Sequence, residues 1–185
     1  MRLLYDIIIT EMSSQCFFVD KPYFFCYSID VILMKVLFME DIKVLRATQT
    51  WQKAGAYSVR IEGMNRQHHI SLREEFDEYD GDMSKYIVLL DDEYPVATCR
   101  FYELSESRVL LGRVVVLPEY RGKHLGSKAI NEAEKWIKEL GYDDVVIDSR
   151  LEAVGFYEKQ GYTRESDKVI KSWKFDCVRM YKNLV

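Results

Sequence analysis

A short basic segment that contains two glycines carries the clearest chemistry in this sequence. Residues 118–127 read Pro-Glu-Tyr-Arg-Gly-Lys-His-Leu-Gly-Ser and follow the apolar run 114–117. An amphipathic pattern begins at Leu125, so the segment joins a predicted strand to a predicted helix. The first N–H groups of a helix lack partners within the helix, and the helix dipole adds positive charge there. With Arg121 and Lys123 beside these groups, the segment predicts a site for phosphate.

The helix predicted after this segment is positioned by an apolar face. Apolar residues recur at helical spacing from Leu125 to Leu140, charged residues occupy the opposite face, and Gly141 ends the pattern. The apolar face predicts packing against the core rather than contact with a cofactor. Its members are Leu125, Ala129, Ile130, Ala133, Trp136, Ile137 and Leu140.

Strand and helix signals alternate on both sides of the segment. Residues 50–64 predict a helix with an apolar face that is formed by Trp51, Ala54, Tyr57 and Ile61. A second helix is predicted to begin at Ser71, because Glu74 three residues later completes a capping box. The predicted strands cover residues 43–47, 86–90, 95–102, 109–117, 145–147 and 177–181.

Two motifs resemble those of the GCN5-related N-acetyltransferase (GNAT) superfamily. Residues 121–126, Arg-Gly-Lys-His-Leu-Gly, resemble its acyl-CoA-binding signature, Arg/Gln-x-x-Gly-x-Gly/Ala, with the usual apolar strand and Pro-x-Tyr before it. Residues 153–162, Ala-Val-Gly-Phe-Tyr-Glu-Lys-Gln-Gly-Tyr, resemble the later Ala-x-x-Phe-Tyr-x-x-x-Gly-Phe/Tyr. The motifs occur in the family's order and at its distance, and the resemblance covers about residues 42–184.

This resemblance implies a fold, a cosubstrate and a binding site. The implied fold is α/β (α+β), with a mixed, mostly antiparallel sheet flanked by helices. The strand that ends at Leu117 and the strand through Ile147 are expected to splay, with acetyl-CoA as cosubstrate in the wedge between them; no metal is expected. The implied pantetheine contacts are backbone groups of Val114, Val115 and Val116. The implied pyrophosphate contacts are Arg121, Gly122, Lys123, His124, Leu125, Gly126 and Ser127.

Two positions depart from the family pattern. His124 replaces the central glycine of the signature, and glycine lets the backbone approach an anion more closely than other residues do. Its imidazole either donates to a phosphate or points to solvent. Arg150 stands where many members of the family have an asparagine.

The resemblance implies direct acyl transfer with Tyr157 as the general acid. Tyr157 is the tyrosine of the Phe-Tyr pair, and its phenol is expected to protonate the leaving thiolate. The alternative is a core tyrosine with a satisfied hydroxyl. A strand N–H near Val116 is expected to contact the thioester carbonyl. No motif assigns the base, for which Glu103, Asp148, the acidic segment and a water chain are all candidates.

The expected activity is therefore transfer of an acetyl group to a primary amine of a small molecule or peptide. The alternative is a sensor or interaction module that binds acyl-CoA without catalysis. An acidic run favours a cationic acceptor, although such runs are also typical of solvated surfaces. The run contains Glu74, Glu75, Asp77, Glu78, Asp80 and Asp82.

Composition narrows the class of protein. The 185 residues carry a net charge of −4 and no basic arm, which argues against nucleic-acid binding. The four cysteines form no Cys-x-x-Cys pair, so neither a zinc site nor a disulfide framework is predicted, and a cytoplasmic location is expected. His68 and His69 are adjacent and predict a turn rather than a metal site. A homodimer is left open.

The sequence divides at Met39 into an N-terminal extension and one domain. Residues 1–38 are crowded with apolar side chains and show no sustained period, and their role is open between an extra packing element and a segment outside the functional domain. Asp6 argues against a secretory signal. The stretch 23–39 is shorter than the roughly 20 residues of a membrane helix and contains Asp30 and Lys35. Residues 39–185 are predicted to form the acyltransferase domain.

Overall fold

Seven strands form one mixed sheet in the computed structural model, which describes residues 42–172 and 174–184. The predicted N-terminal extension, 1–38, lies outside the described residues. The strands are β1 (Lys43–Arg46), β2 (Lys85–Asp91), β3 (Tyr94–Ser105), β4 (Arg108–Val116), β5 (Asp144–Arg150), β6 (Thr163–Ser172) and β7 (Phe175–Asn183). Their order across the sheet is β1-β2-β3-β4-β5-β7-β6.

One parallel pair interrupts an otherwise antiparallel sheet. Strands β4 and β5 pair in parallel only where residues 108–110 face residues 144–146. Beyond that point β4 stays paired with β3, and β5 stays paired with β7. The two strands therefore splay and leave a gap, here called the wedge. This mixed, splayed sheet confirms the fold class predicted from the sequence.

Helices cover the two faces of the sheet. The helices are α1 (Thr50–Arg60), α2 (Arg66–His68), α3 (Leu72–Glu75), α4 (Leu125–Glu139) and α5 (Val154–Lys159), and a π-helical turn, Ile61–Asn65, joins α1 to α2. The predicted capping box at Ser71 and Glu74 is present at the start of α3. The left-handed Gly141, with a φ of +90°, follows the end of α4 as the sequence predicted.

Alternation along β4 and β5 assigns their side chains to opposite faces. Val109, Leu111, Val145 and Ile147 pack in one core cluster with α4, so their side of the sheet is the α4 face. A second cluster joins Val115 and Leu117 to Val59 of α1, which defines the opposite α1 face. Tyr157 of α5 belongs to the first cluster and therefore lies on the α4 face.

The predicted apolar face of the first helix is right at Tyr57, which packs against a core cluster, and wrong at Trp51 and Ala54. Trp51 is 50% exposed and Ala54 is exposed, whereas Ala56, Val59 and Arg60 are buried. A search for apolar periodicity assigns an arginine to the exposed face of a helix. Arg60 is nevertheless buried, because the carboxylates of Glu75 and Asp80 neutralise its guanidinium. The helix also does not run unchanged to residue 64, since the π-helical turn begins at Ile61.

Strand β6 was absent from the predicted elements. Its side chains from Thr163 to Val169 are exposed, and many of them are charged, so no alternating pattern identifies a strand. It lies at the edge of the sheet and is specified by its pairing with β7. The turn between β6 and β7 matters for the site, because Phe175 at the start of β7 reaches the wedge.

Candidate active site

A cavity of about 670 Å³ opens at the wedge and brings most of the predicted site together. The start of α4, the ends of β4 and β5, the turn from α1 to α2 and the start of β7 all contribute to its wall. The predicted residues on the wall are Val114, Val115, Val116, Arg121, Gly122, His124, Leu125, Gly126, Ser127 and Tyr157. Lys123 is not on it, and its Nζ lies 4.6 Å from the centre of the Tyr120 ring.

The turn before α4 has the backbone that an anion site needs. Gly122 and His124 both have positive φ, +78° and 60°, so the central residue of the signature adopts a left-handed conformation. Lys128 N–H donates to the carbonyl of His124 at 3.0 Å, which is the first bond of the helix. The N–H groups of residues 125–127 precede that bond and lack intrahelical acceptors. The histidine thus occupies a conformation that favours glycine.

Gly126 has a packing reason that the sequence did not reveal. A Cβ at this position would lie 3.3 Å from Cζ of Phe156 and 3.7 Å from Cγ2 of Val116. Helix α4 therefore starts in close contact with α5 and β4. The glycine permits this approach as well as access to the N–H groups.

The open edge of β4 carries backbone groups that face the wedge. Leu117 N–H donates to the carbonyl of Val96 on β3 at 3.0 Å, so alternation turns the peptide groups of Val116 the other way. The Val116 carbonyl accepts from Arg121 Nε at 3.2 Å, and Arg121 Nη2 donates to Oε1 of Gln67 at 2.9 Å. Arg121 thus joins β4 to α2 across the cavity mouth.

A bulge re-aims β4 just before these groups. Thr98 of β3 pairs with Val115 and Arg100 pairs with Gly112, so one extra residue of β4 is accommodated between the two pairs. Arg113 lies in that stretch with a φ of 49°. Its Nη2 donates to the carbonyl of Glu75 at 3.1 Å and to Oδ2 of Asp77 at 3.2 Å.

Three arginines and three carboxylates form a network beside this bulge. Arg60 Nε contacts Oε1 of Glu75 at 2.7 Å, and Arg60 also pairs with Asp80. Arg100 Nη1 contacts Oδ1 of Asp77 at 2.6 Å and Oδ1 of Asp80 at 2.8 Å. Half of the acidic run therefore neutralises internal arginines. Glu74 also lines the cavity, while Glu78 and Asp82 are exposed.

Tyr157 combines burial with access to the cavity. The residue is only 9% exposed, and its ring packs edge-on against Phe156 and Tyr162, with centroids 5.0 Å and 6.0 Å apart. Burial, with a smaller contribution from nearby Cys99, raises the pKa of the Tyr157 hydroxyl. The phenol is therefore protonated near neutral pH, as a proton donor must be.

The two single carboxylates considered as bases have other partners. Glu103 Oε2 accepts from the Tyr142 hydroxyl at 2.9 Å and lines a separate cavity, so its candidacy was wrong. Asp148 does line the wedge cavity. Both of its oxygens accept from Arg179, at 2.8 Å and 2.9 Å.

Three residues on the cavity wall escaped assignment from the sequence. The His68 ring meets Phe175 edge-on at 5.3 Å, and the Arg150 guanidinium lies 4.7 Å from the centre of the Phe175 ring. Lys174 Nζ fastens the turn before β7 by contacting the carbonyls of His68 and His69, at 3.3 Å and 2.7 Å. No local motif could have found this group, because its members come from distant parts of the chain.

Relatives of this chain are named as acetyltransferases. The profile of the Acetyltransferase (GNAT) family matches residues 48–162. The uncharacterized N-acetyltransferase YjcF of Bacillus subtilis is 29% identical over 69% of this chain and 89% of the relative. An uncharacterized acetyltransferase of Streptococcus pyogenes is 28% identical over 62% of this chain and 77% of the relative.

Solved structures share the fold. A Lactobacillus plantarum protein assigned as an N-acetyltransferase superposes with a TM-score of 0.73 at 28% identity, over 78% of this chain and 99% of that protein. An aminoglycoside 6'-N-acetyltransferase, solved in complex with coenzyme A, superposes with a TM-score of 0.60 over 78% of this chain and 97% of its own. At 14% identity the latter supports the fold alone.

The splayed sheet and the named relatives define an acyltransferase. The chain belongs to the acetyltransferase (GNAT) family. Within residues 42–172 and 174–184, no helix is long and apolar enough to cross a membrane. The same residues hold no cluster of three or more His, Cys, Asp or Glu side chains that could bind a metal ion.

Proposed function

We propose that this protein is an acetyl-CoA-dependent N-acetyltransferase that acts on a primary amine of a small molecule or peptide. One observation carries the proposal: the open edge of β4 and the start of α4 line the same cavity. A strand edge offers N–H and C=O groups to the amides of a pantetheine arm. A helix start offers N–H groups to a pyrophosphate.

The proposed binding mode uses the residues predicted from the sequence. Backbone groups of residues 114–116 pair with pantetheine, and the segment 121–127 binds the pyrophosphate. Arg121 already donates hydrogen bonds to Val116 and Gln67. It therefore contacts the phosphate through its other N–H groups. Lys123 contributes charge from outside the cavity wall.

The proposed reaction is one direct transfer. The amine nitrogen attacks the thioester carbonyl carbon, a C–N bond forms, and the C–S bond breaks. A backbone N–H of β4 beyond the bulge stabilises the carbonyl oxygen as negative charge develops there. The amine loses one proton to solvent or a base, the thiolate gains one from the Tyr157 hydroxyl, and the Tyr157 phenolate regains a proton from solvent. Because burial raises the pKa of that hydroxyl, the group still carries its proton when the thiolate leaves.

The predicted cationic acceptor has less support than the sequence suggested. Glu75, Asp77 and Asp80 of the acidic run already face arginines. Glu74 is the other member of the run on the cavity wall, and its Oε2 accepts from the Ser71 N–H at 2.7 Å. We therefore propose an amine acceptor without assigning its charge to this run.

Thiol release tests this proposal directly. Acetyl-CoA is incubated with the protein and a panel of amino acids, polyamines, aminoglycosides and peptide N-termini, and free thiol is measured. We expect release that depends on both substrates. Acetyl-CoA binding by calorimetry without release on any amine would support the alternative, a sensor. Absence of both binding and release would overturn the function.

We further propose that residues 39–185 form the acyltransferase domain and that it works in the cytoplasm. The family match at 48–162 falls within that range, and so do the described residues that line the cavity. Buried free thiols at Cys99 and Cys177 suit a reducing compartment. A chain that begins at Met39 should bind acetyl-CoA as the full chain does.

A further inference from the structure

Arg150 projects into the part of the cavity that lies away from α4. Val145 and Ile147 of β5 pack with α4, so alternation places Asp148 and Arg150 on the α1 face. Cys177, which pairs with Arg150 on the neighbouring strand β7, also lines the cavity. The start of α4 and Tyr157 lie on the opposite face. If acyl-CoA occupies the α4 face, the acceptor amine must approach the thioester from the side of Arg150.

The guanidinium of Arg150 is held in place by stacking. It lies 4.7 Å from the centre of the Phe175 ring, and the Phe175 ring in turn meets the His68 ring edge-on. Lys174 fixes the preceding turn through the carbonyls of His68 and His69. Stacking of a cation on an aromatic face stabilises its position but leaves the planar edge free for hydrogen bonds.

The charge of Arg150 has a weak partner. Its Nη1 lies 3.4 Å from Oε1 of Glu152, whose side chain is 67% exposed, and its guanidinium donates no hydrogen bond to any described residue. Exposed pairs of this kind contribute little. By contrast, Asp148 on the same face is held by two bonds from Arg179, and Glu75 contacts both Arg60 and Arg113. Arg150 thus retains unused donors on the cavity wall.

Three cations, Arg150, Arg121 and Lys174, act on the His68 imidazole in this part of the wall. Burial and then the positive charges of Arg150 and Arg121 lower the pKa of the His68 imidazole. Lys174 acts in the same direction, and Glu152 opposes it. Burial disfavours either sign of charge, but the nearby cations favour an anionic ligand over a cationic one.

We propose that Arg150 binds a carboxylate of the acceptor, so that the acceptor is an amine that also carries a carboxylate. The planar fork of a guanidinium matches a carboxylate with two parallel hydrogen bonds. The acceptor carboxylate replaces Glu152 as the partner of Arg150, and the Arg150 guanidinium stays stacked on the Phe175 ring. Arg150 then determines specificity, while the reacting amine lies at the thioester. This inference deepens the proposed function and depends on it.

Matched acceptors test the inference on the full chain. Amino acids are compared with their carboxamides, which keep the amine and remove the negative charge, in parent, Arg150→Gln and Arg150→Lys. The parent should prefer the carboxylate by about 10-fold or more in kcat/KM, the scale of a charged hydrogen bond. Arg150→Gln should abolish that preference through acceptor KM and leave KM for acetyl-CoA unchanged. Arg150→Lys should retain part of it.

A control variant tests whether loss of any exposed arginine has the same effect, and a second variant tests the contact with Phe175. Arg164→Gln removes a cation from β6 that is 45% exposed and outside the cavity, and it should behave as the parent does. Phe175→Leu, which keeps Arg150 but removes the ring that contacts both Arg150 and His68, should raise the same acceptor KM by a smaller factor. Thermal melts establish that each variant folds.

Three results would overturn the inference without touching the function. They are a parent that favours the carboxamides, an Arg150→Gln variant that keeps the preference, and a variant whose defect lies in KM for acetyl-CoA. The last would assign Arg150 to the cosubstrate. Absence of thiol release with every amine would instead overturn the proposed function.

Discussion

Arg113 Nη2 donates to the main-chain carbonyl of Glu75 at 3.1 Å, and this bond ties the bulge of β4 to the end of α3. Arg113 has a left-handed φ of 49°. This conformation is unfavourable for any residue other than glycine. Its side chain offsets that cost through further contacts with Glu75 and Asp77. The direction of the strand that precedes the wedge therefore depends on the charge network.

Replacing Arg113 by Lys should impair the proposed reaction more than the fold. A lysine keeps the charge but cannot span the Glu75 carbonyl and Asp77 together. We expect kcat/KM to fall by about 10-fold or more, since the bulge that aims the β4 amides loses at least one of these two charge-assisted bonds. Steady-state kinetics measure the effect. Arg108→Lys, on the same strand but in partly exposed pairs outside the cavity, is the control. Equal losses in both variants would remove the bulge from the explanation.

Gly63 should tolerate no side chain. A Cβ there would lie 2.5 Å from Cγ1 of Val115, a buried residue of β4. Gly63→Ala must therefore displace the Val115 side chain, β4 or the π-helical turn, at a cost of about 1–3 kcal/mol in the free energy of unfolding. Acetyl-CoA affinity should fall with it. Chemical denaturation and calorimetry measure both, with Gly81→Ala as the control because no atom lies within 4 Å of its Cβ. A stable variant with parental affinity would contradict the role of this contact.

The proposed cosubstrate half of the site could be identified from the sequence because it is local in the chain. The segment 114–127 runs through strand, turn and helix start, and its glycines and basic residues indicate their chemistry without knowledge of the fold. The acceptor side could not be predicted in this way. His68, Arg150 and Phe175 meet only because β5, β7 and the turn after α1 converge there.

Two errors in the predicted elements have the same physical origin. Periodicity assigns charged residues to solvent, yet Arg60 is fully buried by virtue of Glu75 and Asp80. The charged strand β6 has no buried side and is held by backbone pairing with β7. In both cases a long-range partner decides the structure, and such a partner leaves no local pattern.

Asp80 should make the fold sensitive to acid. Burial opposes its charged form, but bonds from Arg60 and Tyr86 and the charge of Arg100 hold the pKa of Asp80 well below its usual range. Because the folded pKa is the lower one, Asp80 stabilises the fold above its unfolded pKa of about 4, and this stabilisation is lost as pH falls towards the folded value.

Asp80→Asn should therefore be less stable than the parent at pH 7, and its stability should decline less steeply below about pH 4. Denaturation at a series of pH values measures both slopes. Asp82→Asn, at an exposed position of the same run, should follow the parent. Parallel curves for Asp80→Asn and the parent would show that Asp80 does not carry the acid sensitivity.

His124 should be replaceable by glycine. Its φ of 60° favours glycine, so His124→Gly should be at least as stable as the parent, and His124→Val about 1–2 kcal/mol less stable than the glycine variant. Thermal denaturation compares them. We expect the glycine variant to bind acetyl-CoA at least as tightly as the parent. A shared loss of affinity in both variants would instead assign the imidazole to the phosphate.

Tyr157→Phe separates proton donation from packing. The ring and its contacts with Phe156 and Tyr162 remain, while the hydroxyl is lost. If protonation of the thiolate limits the rate, kcat should fall by about 10²-fold or more with acetyl-CoA affinity nearly unchanged. Single-turnover kinetics and calorimetry measure the two quantities. Parental turnover would assign the hydroxyl no part in catalysis, and Tyr162→Phe serves as a control for loss of a buried phenol.

The short parallel pairing of β4 and β5 leaves the sheet incomplete at its centre. Under the proposed binding mode, the pantetheine amides fill that place as a strand of non-protein origin. The cosubstrate would then complete the hydrogen bonding of the sheet, in addition to occupying the cavity. A ligand that binds the folded chain but not the unfolded chain raises the stability of the fold, and the effect grows with ligand concentration. The persistence of this protein in a cell would accordingly follow the supply of acyl-CoA.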